Sequence, residues 1–344
     1  MTDLTRQAID ALDSGSVIED ALAMPHQMGD ALWRADSAGI DRADRPLGLV
    51  VCGMGGSAVG GDLAAAAIGA RAERPIVTSR GYAPPSWVGP GCLVLCSSYS
   101  GNTEETLASF EAAGAAGAPR VALTTGGKLA EAARAAGVPV IGVPSGMQPR
   151  SAVAYVTVGT LVCAELAGVT PSLRGEIEAA GALLESLCAE WGPDAGDSEA
   201  TQLARTIGSA VALVYGAGST AAPAGRWKTQ INENAKAAAF RSELPEADHN
   251  EICAYGHDSA QVHAVFLEQP GAPERISRRV ELTAGLAADA GVPVSRVQAR
   301  GESGVEQVMS LVLLGDLVSI YMAALHDVDP TPVEPIERFK QALG

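Results

Sequence analysis

Positive charge is scarce in this chain: 24 Lys and Arg stand against 40 Asp and Glu, leaving a formal charge of -16. A nucleic-acid duplex or an anionic membrane face would meet mostly repulsion, so neither is an expected partner. Cysteine pairs are missing as well. The six cysteines are scattered, mostly inside apolar runs, without C-x-x-C spacing or a disulfide framework, and read as buried free thiols of a cytoplasmic protein. The opening MTDLTRQAID lacks a basic stretch with an apolar core behind it, so a signal peptide is not expected. No apolar run is long and uncharged enough to be expected in a membrane; the best candidate, Val305 to Leu325, is interrupted by Glu306 and Asp316.

Charged residues are only 19% and hydrophobic ones 47%, which excludes wholesale disorder, and the 39 glycines show no collagen period. At 344 residues the chain is roughly twice a typical ~150-residue domain, so two domains are expected.

Residues 1–45 read as a helical lead-in of two short helices, the second around Pro25 to Ala38. Leu47 to Cys52 is then a continuous apolar run, ended by the loop Gly53-Met54-Gly55-Gly56-Ser57 and followed by the alanine-rich stretch Ala58 to Ala70. That order is a buried strand, a tight loop and a helix. Strands at Pro75 to Ser79, Cys92 to Cys96, Arg120 to Thr124 and Pro139 to Val143, with helices at Glu104 to Ala116 and Lys128 to Ala136, repeat the unit. The pattern predicts an α/β domain over 46–168, a parallel sheet covered by helices. It closes with a helix at Val153 to Leu166, and residues 169–199 read as a linker and helical segment, rich in Gly, Pro and Asp near Gly192 to Asp197.

The pattern restarts over 200–328. Strand Ala210 to Tyr215 ends in Gly216-Ala217-Gly218-Ser219-Thr220-Ala221, which echoes the loop after the first strand and marks an internal duplication. Helix Arg226 to Phe240, strand Ala264 to Glu268, helix Glu274 to Ala290, strand Val294 to Gln298 and the long helix Val305 to His326 complete it. The tail 329–344 is punctuated by prolines; it cannot join a sheet and is expected to wrap the surface and carry Lys340 to a defined place.

Two loops could hold an anion. Gly53 to Ala58 matches G-x-G-x-x-A between strand and helix, the pattern of a dinucleotide site, but Ser79-Arg80 replaces the acidic residue such a site needs for a ribose. An anion at the helix N-terminus and a plain tight turn remain as readings. The loop Ser97-Ser98-Tyr99-Ser100-Gly101-Asn102-Thr103 says more. Its hydroxyls at Ser98, Ser100 and Thr103, with free backbone N–H groups, would surround one phosphate, although a single Ser or Thr there would be ordinary capping.

Together the segments G-M-G-G-S (53–57), S-Y-S-G-N-T-E-E-T-L (98–107), N-E-N-A-K (232–236) and E-L-P-E-A-D-H-N-E-I (243–252) resemble the bifunctional phosphoglucose/phosphomannose isomerases, which are built from two sugar-isomerase (SIS) domains. The resemblance implies a homodimer acting on a sugar phosphate, with Gly55, Gly56, Ser57, Ser98, Ser100 and Thr103 in the substrate-binding loops. An aldose-ketose isomerase opens the sugar ring and moves a proton between C1 and C2 through an enediol. It needs a carboxylate base, an acid/base group at the ring oxygen and positive charge near the enediolate. No redox step and no metal are required, so no cofactor is expected.

Glu233 alone reads as a solvated helix glutamate paired with Lys236 at i,i+3; with the resemblance it becomes the base. His249 lies in a loop-like stretch, and an imidazole suits proton exchange. The resemblance implies ring opening for it, in its own or the partner subunit's site. His26, His257, His263 and His326 are assigned to structure, since no pair among them has metal-ligand spacing. Arg150, otherwise an ordinary surface arginine, is implied to stabilise the enediolate. Lys340, one of four lysines, either meets its own helix's last carbonyls or, as the resemblance implies, stands near the ring oxygen. Two other classes remain open: a non-catalytic sugar-phosphate binder, and an NADP-dependent oxidoreductase using Gly53 to Ala58 with Arg80.

Overall fold

The structure, a computed structural model, describes residues 4–256 and 261–343. Helices α1 (Arg6–Asp10), α2 (Val17–Leu22) and α3 (Met24–Ser37) open the chain, one more than the lead-in suggests. The chain forms two compact units, one of Ala23–Glu185 with Arg300–Ser310, the other of Met1–Leu22, Ser186–Ala299 and Leu311–Gly344. The lead-in is therefore shared, α1 and α2 going with the second unit and α3 with the first.

The first unit runs β1 (Leu49–Gly53), α4 (Gly55–Ile68), β2 (Ile76–Ser79), β3 (Leu93–Ser97), α5 (Glu104–Ala115), β4 (Arg120–Thr124), α6 (Gly127–Ala135), β5 (Val140–Gly142) and α7 (Val153–Leu166), and α8 (Arg174–Trp191) follows. Its five strands are all parallel in the order β2-β1-β3-β4-β5, with Leu49 opposite both Ile76 and Leu93. Every residue of β1 and β3 is buried, as two covered faces require. On one face Phe110, Ala113, Leu129 and Ala133 of α5 and α6 meet Val50, Cys52, Val94 and Cys96. On the other lie α4 and α7, and α3 packs on α7 in turn. Helix α7 is apolar all round and buried from Val153 to Glu165, so it is a central core helix.

Residues 169–199, expected as a linker and helical segment, contain the whole of the five-turn α8. Ile177, Ala180, Leu184, Leu187 and Trp191 recur at helical spacing and are all buried. Its end at Trp191 coincides with the Gly/Pro/Asp segment that was read as a break.

The second unit continues with α9 (Glu199–Ile207), opened by a Ser198–Thr201 capping box, then β6 (Val211–Ala217), α10 (Ala221–Asn234), β7 (Ala239–Leu244), β8 (Val262–Glu268), α11 (Glu274–Asp289) and β9 (Val294–Gln298). Helices α12 (Gly304–Leu325) and α13 (Glu334–Leu343) complete the chain. Its parallel sheet has the order β7-β6-β8-β9.

Strand β7 corrects the expectation of one helix from Arg226 to Phe240. The helix stops at Asn234 because Lys236 takes a left-handed backbone, φ 54°, after the Ala235 cap. Ala239 to Leu244 then pairs residue by residue with Ala212 to Ala217. One face of this sheet packs Tyr215, Ala264 and Phe266 against Val280, Ala284 and Ala287 of α11, and α10 lies against β6 and β7.

Helix α12 is long and apolar enough to cross a membrane, yet it is almost wholly buried inside the protein. It is a core helix. The start of the tail is pinned at Thr331: the Gly15 N–H donates to Thr331 Oγ1 at 2.8 Å, and Thr331 Oγ1 donates to Asp13 Oδ1 at 3.1 Å.

Candidate active site

In the first unit the chain leaves β1 toward β2 on one side and β3 on the other, which makes a topological switch point at the carboxyl ends of β1 and β3. The Gly53–Ser57 turn and the serine loop are the segments that follow those two strands. Gly56 stands where the start of α4 touches the Pro149–Arg150 backbone: a Cβ there would lie 3.3 Å from both Pro149 O and Arg150 Cα. Ser57, buried, accepts the Tyr99 N–H at 3.1 Å and so ties the two loops together.

Within the serine loop the hydroxyls of Ser98 and Thr103 lie 2.9 Å apart, and Ser98 Oγ also accepts the Gly101 N–H at 3.1 Å. Gly101 is left-handed, φ 68°, with Gly126 O so close that no side chain fits. Ser98 is buried and shapes the loop, whereas Ser100 is exposed and accepts the Asn102 N–H at 3.2 Å. Thr103 is the N-cap of α5 but makes no side-chain capping bond, so ordinary capping does not account for its hydroxyl.

Arg150 lies in a 3-10 turn after β5 and is only 3% exposed, which removes the surface-arginine reading. Its Nη1 donates to Gln148 Oε1 at 3.3 Å. Tyr99 braces the preceding segment, donating to Pro144 O at 3.2 Å and accepting the Met147 N–H at 3.0 Å. One frame of backbone and hydroxyl contacts thus carries Gly56, Ser57, the serine loop and Arg150.

In the second unit, Glu233 sits half-buried in the last turn of α10. That helix is fixed along its length: Arg226 donates to the Asp316 carboxylate at 3.0 and 2.7 Å, Trp227 Nε1 to Leu311 O at 2.7 Å and Asn234 Nδ2 to Ser319 Oγ at 2.9 Å. Lys236 Nζ donates to the Glu233 backbone carbonyl at 2.5 Å and to Pro330 O at 3.1 Å, so it caps the helix and holds the tail. His249 is exposed at the end of a 3-10 turn after β7, and Lys340 is exposed on α13.

Two of the other histidines are structural. His263 Nε2 lies 2.8 Å from Ser295 Oγ, and the His326 ring nitrogens face Ala235 O at 3.3 Å and Gly208 O at 3.0 Å. His26 is exposed on α3, and His257 lies outside the described residues.

The hydroxyls of the echo loop after β6 are engaged within the protein. Thr220 Oγ1 accepts the Ala217 N–H at 2.8 Å and donates to Leu267 O at 2.9 Å, while Ser219 is bonded to Gln269. The duplication therefore repeats the turn without a second hydroxyl-lined loop.

Residues 196–343 match the family model of the bacterial phospho-glucose isomerase C-terminal SIS domain. Over 302 residues the chain is 36% identical to a bifunctional phosphoglucose/phosphomannose isomerase of Caldicellulosiruptor bescii, covering 86% of this chain and 89% of that protein. The chain belongs to the bifunctional phosphoglucose/phosphomannose isomerase family. Another member, from Aquifex aeolicus, is 35% identical over 300 residues, with 86% and 90% of the two chains covered. The solved structure of a hypothetical protein from Thermus thermophilus superposes with a TM-score of 0.75 over 98% of this chain and 92% of that one, at 16% identity, a likeness of fold.

Membership in this family removes the oxidoreductase reading, and the side chain that reading relied on is engaged elsewhere: Arg80 is ion-paired with Asp62 on α4. Sequence reasoning missed three features. Tyr99 was given no role in its loop. Asp316 was noted only as an interruption of an apolar helix, although an acid in the middle of such a run is itself a sign of a buried cation partner. Asp248 went unremarked, although the structure ties it to Arg279 and Thr283.

Proposed function

We propose that this enzyme interconverts fructose 6-phosphate with mannose 6-phosphate, glucose 6-phosphate or both through an enediol, and that it works as a cytoplasmic homodimer. Glu233 moves the proton between C1 and C2. Arg150 stabilises the enediolate, His249 and Lys340 serve the ring oxygen, and the loops of Gly55, Gly56, Ser57, Ser98, Ser100 and Thr103 hold the phosphate. The observation that carries the reading is the anchoring of α10: a base must keep one position above two carbons, and three side chains fix the helix that bears Glu233. The burial of a permanently charged guanidinium at Arg150 supports its electrostatic role, since such a charge acts most strongly where water is excluded. The exposed apolar side chains Ile336, Phe339 and Leu343 on α13 and Leu282 and Leu286 on α11 support a dimer.

The test is a coupled assay of glucose 6-phosphate and mannose 6-phosphate in parallel, with fructose 6-phosphate as common partner, on the wild type and Glu233→Gln. The amide keeps the size of the side chain and loses the base. The expected loss in kcat is at the upper end of the ~100 to 10,000-fold range of general-base contributions, with KM little changed. A loss below about tenfold removes Glu233 from the mechanism.

A further inference from the structure

His249 lies on an irregular segment, Glu246 to Ala254, made only of 3-10 turns and exposed at the histidine itself. Such a segment has no ladder of hydrogen bonds to set the direction of a side chain. The carboxylates that flank the histidine do that work. Asp248, one residue before it, accepts from Arg279 Nη1 at 2.6 Å and from Thr283 Oγ1 at 2.7 Å. Both donors stand on α11, four residues apart on one face. Glu251, two residues after His249, accepts from Tyr215 Oη at 3.0 Å and from Ser242 Oγ, on β6 and β7. Tyr215 is itself immobilised: its ring is buried and stacked on Phe266 at 4.7 Å between centroids, and its hydroxyl lies 2.6 Å from that of Tyr255.

The two anchors reach different elements, a helix before His249 in the chain order of the segment and two strands after it, so the backbone of His249 is held at both flanks while its side chain stays exposed. We propose that Asp248, held by Arg279 and Thr283, and Glu251, held by Tyr215 and Ser242, are positioning residues that aim His249 at the ring oxygen. This rests on the ring-opening role of His249 given above. Hydrogen bonds to ionised carboxylates are the strong kind and fix geometry as well as energy. A displacement of about 1 Å at a proton-transferring group costs on the order of 100-fold in rate.

The experiment compares kcat and KM on fructose 6-phosphate, which must be opened, with solvent deuterium exchange at C2 of erythrose 4-phosphate, which cannot close into a stable ring. Thr283→Val keeps the buried shape and removes one donor, Thr283→Ser restores the hydroxyl, and Glu251→Gln weakens the other anchor. Thr283→Val and Glu251→Gln are expected to lower kcat on fructose 6-phosphate about tenfold to 100-fold, with KM within twofold and exchange unchanged. Thr283→Ser is expected to recover most of the loss. Arg279→Gln, at a side chain about one-third exposed, repeats the test where folding is not at stake. Equal losses on both substrates, or none, overturn the proposal. His249→Ala run alongside separates the two levels: a selective loss there without one in Thr283→Val and Arg279→Gln overturns the positioning role alone, and no selective loss there overturns the ring-opening role and the proposal with it.

Discussion

Replacing Asp316 by alanine tests the frame behind the proposed base. The Arg226 guanidinium is 1% exposed and its fork meets the Asp316 carboxylate at 3.0 and 2.7 Å, on the largely apolar core helix α12. Truncation leaves that cation buried without its carboxylate. Breaking such a pair from one side typically costs about 3–5 kcal/mol, a large part of the 5–15 kcal/mol by which domains are stable. For a cooperative unit of this size each kcal/mol lowers Tm by about 2–4 °C, so a fall on the order of 10 °C is expected. The double variant Arg226→Met with Asp316→Leu removes both charges and fills the space, and is expected to regain most of the loss, because the penalty lies in a buried charge that has lost its carboxylate. Urea melts followed by far-UV circular dichroism on the wild type, the single variant and the double variant give all three values. A loss below about 1 kcal/mol in the single variant would mean that water reaches the guanidinium, and a double variant no more stable than the single would mean that the pair itself holds α10.

The combined change Ser100→Ala with Thr103→Ala is expected to raise KM for every sugar phosphate alike and to weaken inhibition by inorganic phosphate, as loss of a remote grip should; unchanged phosphate affinity would leave these hydroxyls with loop shaping alone. Burial holds the His263 imidazole below its ordinary 6.5, so the unfolded chain binds a proton before the folded one does as pH falls. Its contribution is therefore present above pH 6.5 and lost below it, and the stability gap between the wild type and His263→Gln should narrow from pH 7 to 5 in urea melts; a constant gap would contradict this.

Most of the fold was legible because apolar runs and helical stretches alternate plainly. Strands Arg120–Thr124 and Val294–Gln298 and helix Val153–Leu166 have the bounds that periodicity and punctuation suggest. Strand β7 was hidden for a definite reason. Residues 235–239 read Ala-Lys-Ala-Ala-Ala, among the best helix formers, so local propensity favours continuing α10 through them. Pairing with β6 across six residues overrides that preference, and the left-handed Lys236 is where the conflict is resolved. Propensity is a local quantity, and the strand's partner lies more than twenty residues away in the chain.

The site was legible by residue type and not by environment. Arg150 reads the same on paper whether it is exposed or buried, and only its approach to Gly56 distinguishes the two. The three hydroxyls of the serine loop look equivalent in sequence, yet the left-handed Gly101 folds Ser98 back onto Thr103 and leaves Ser100 outward. The same logic explains why the duplicated halves differ. Both have a glycine turn after the first strand of their sheets, but in the second half the Thr220 and Ser219 hydroxyls are taken up by Leu267 and Gln269 at the end of β8, where the first half has its serine loop after β3. A turn whose hydroxyls are engaged within the protein has none left for a phosphate, which agrees with the proposed roles, the phosphate grip in the serine loop after β3 and the base Glu233 at the end of α10.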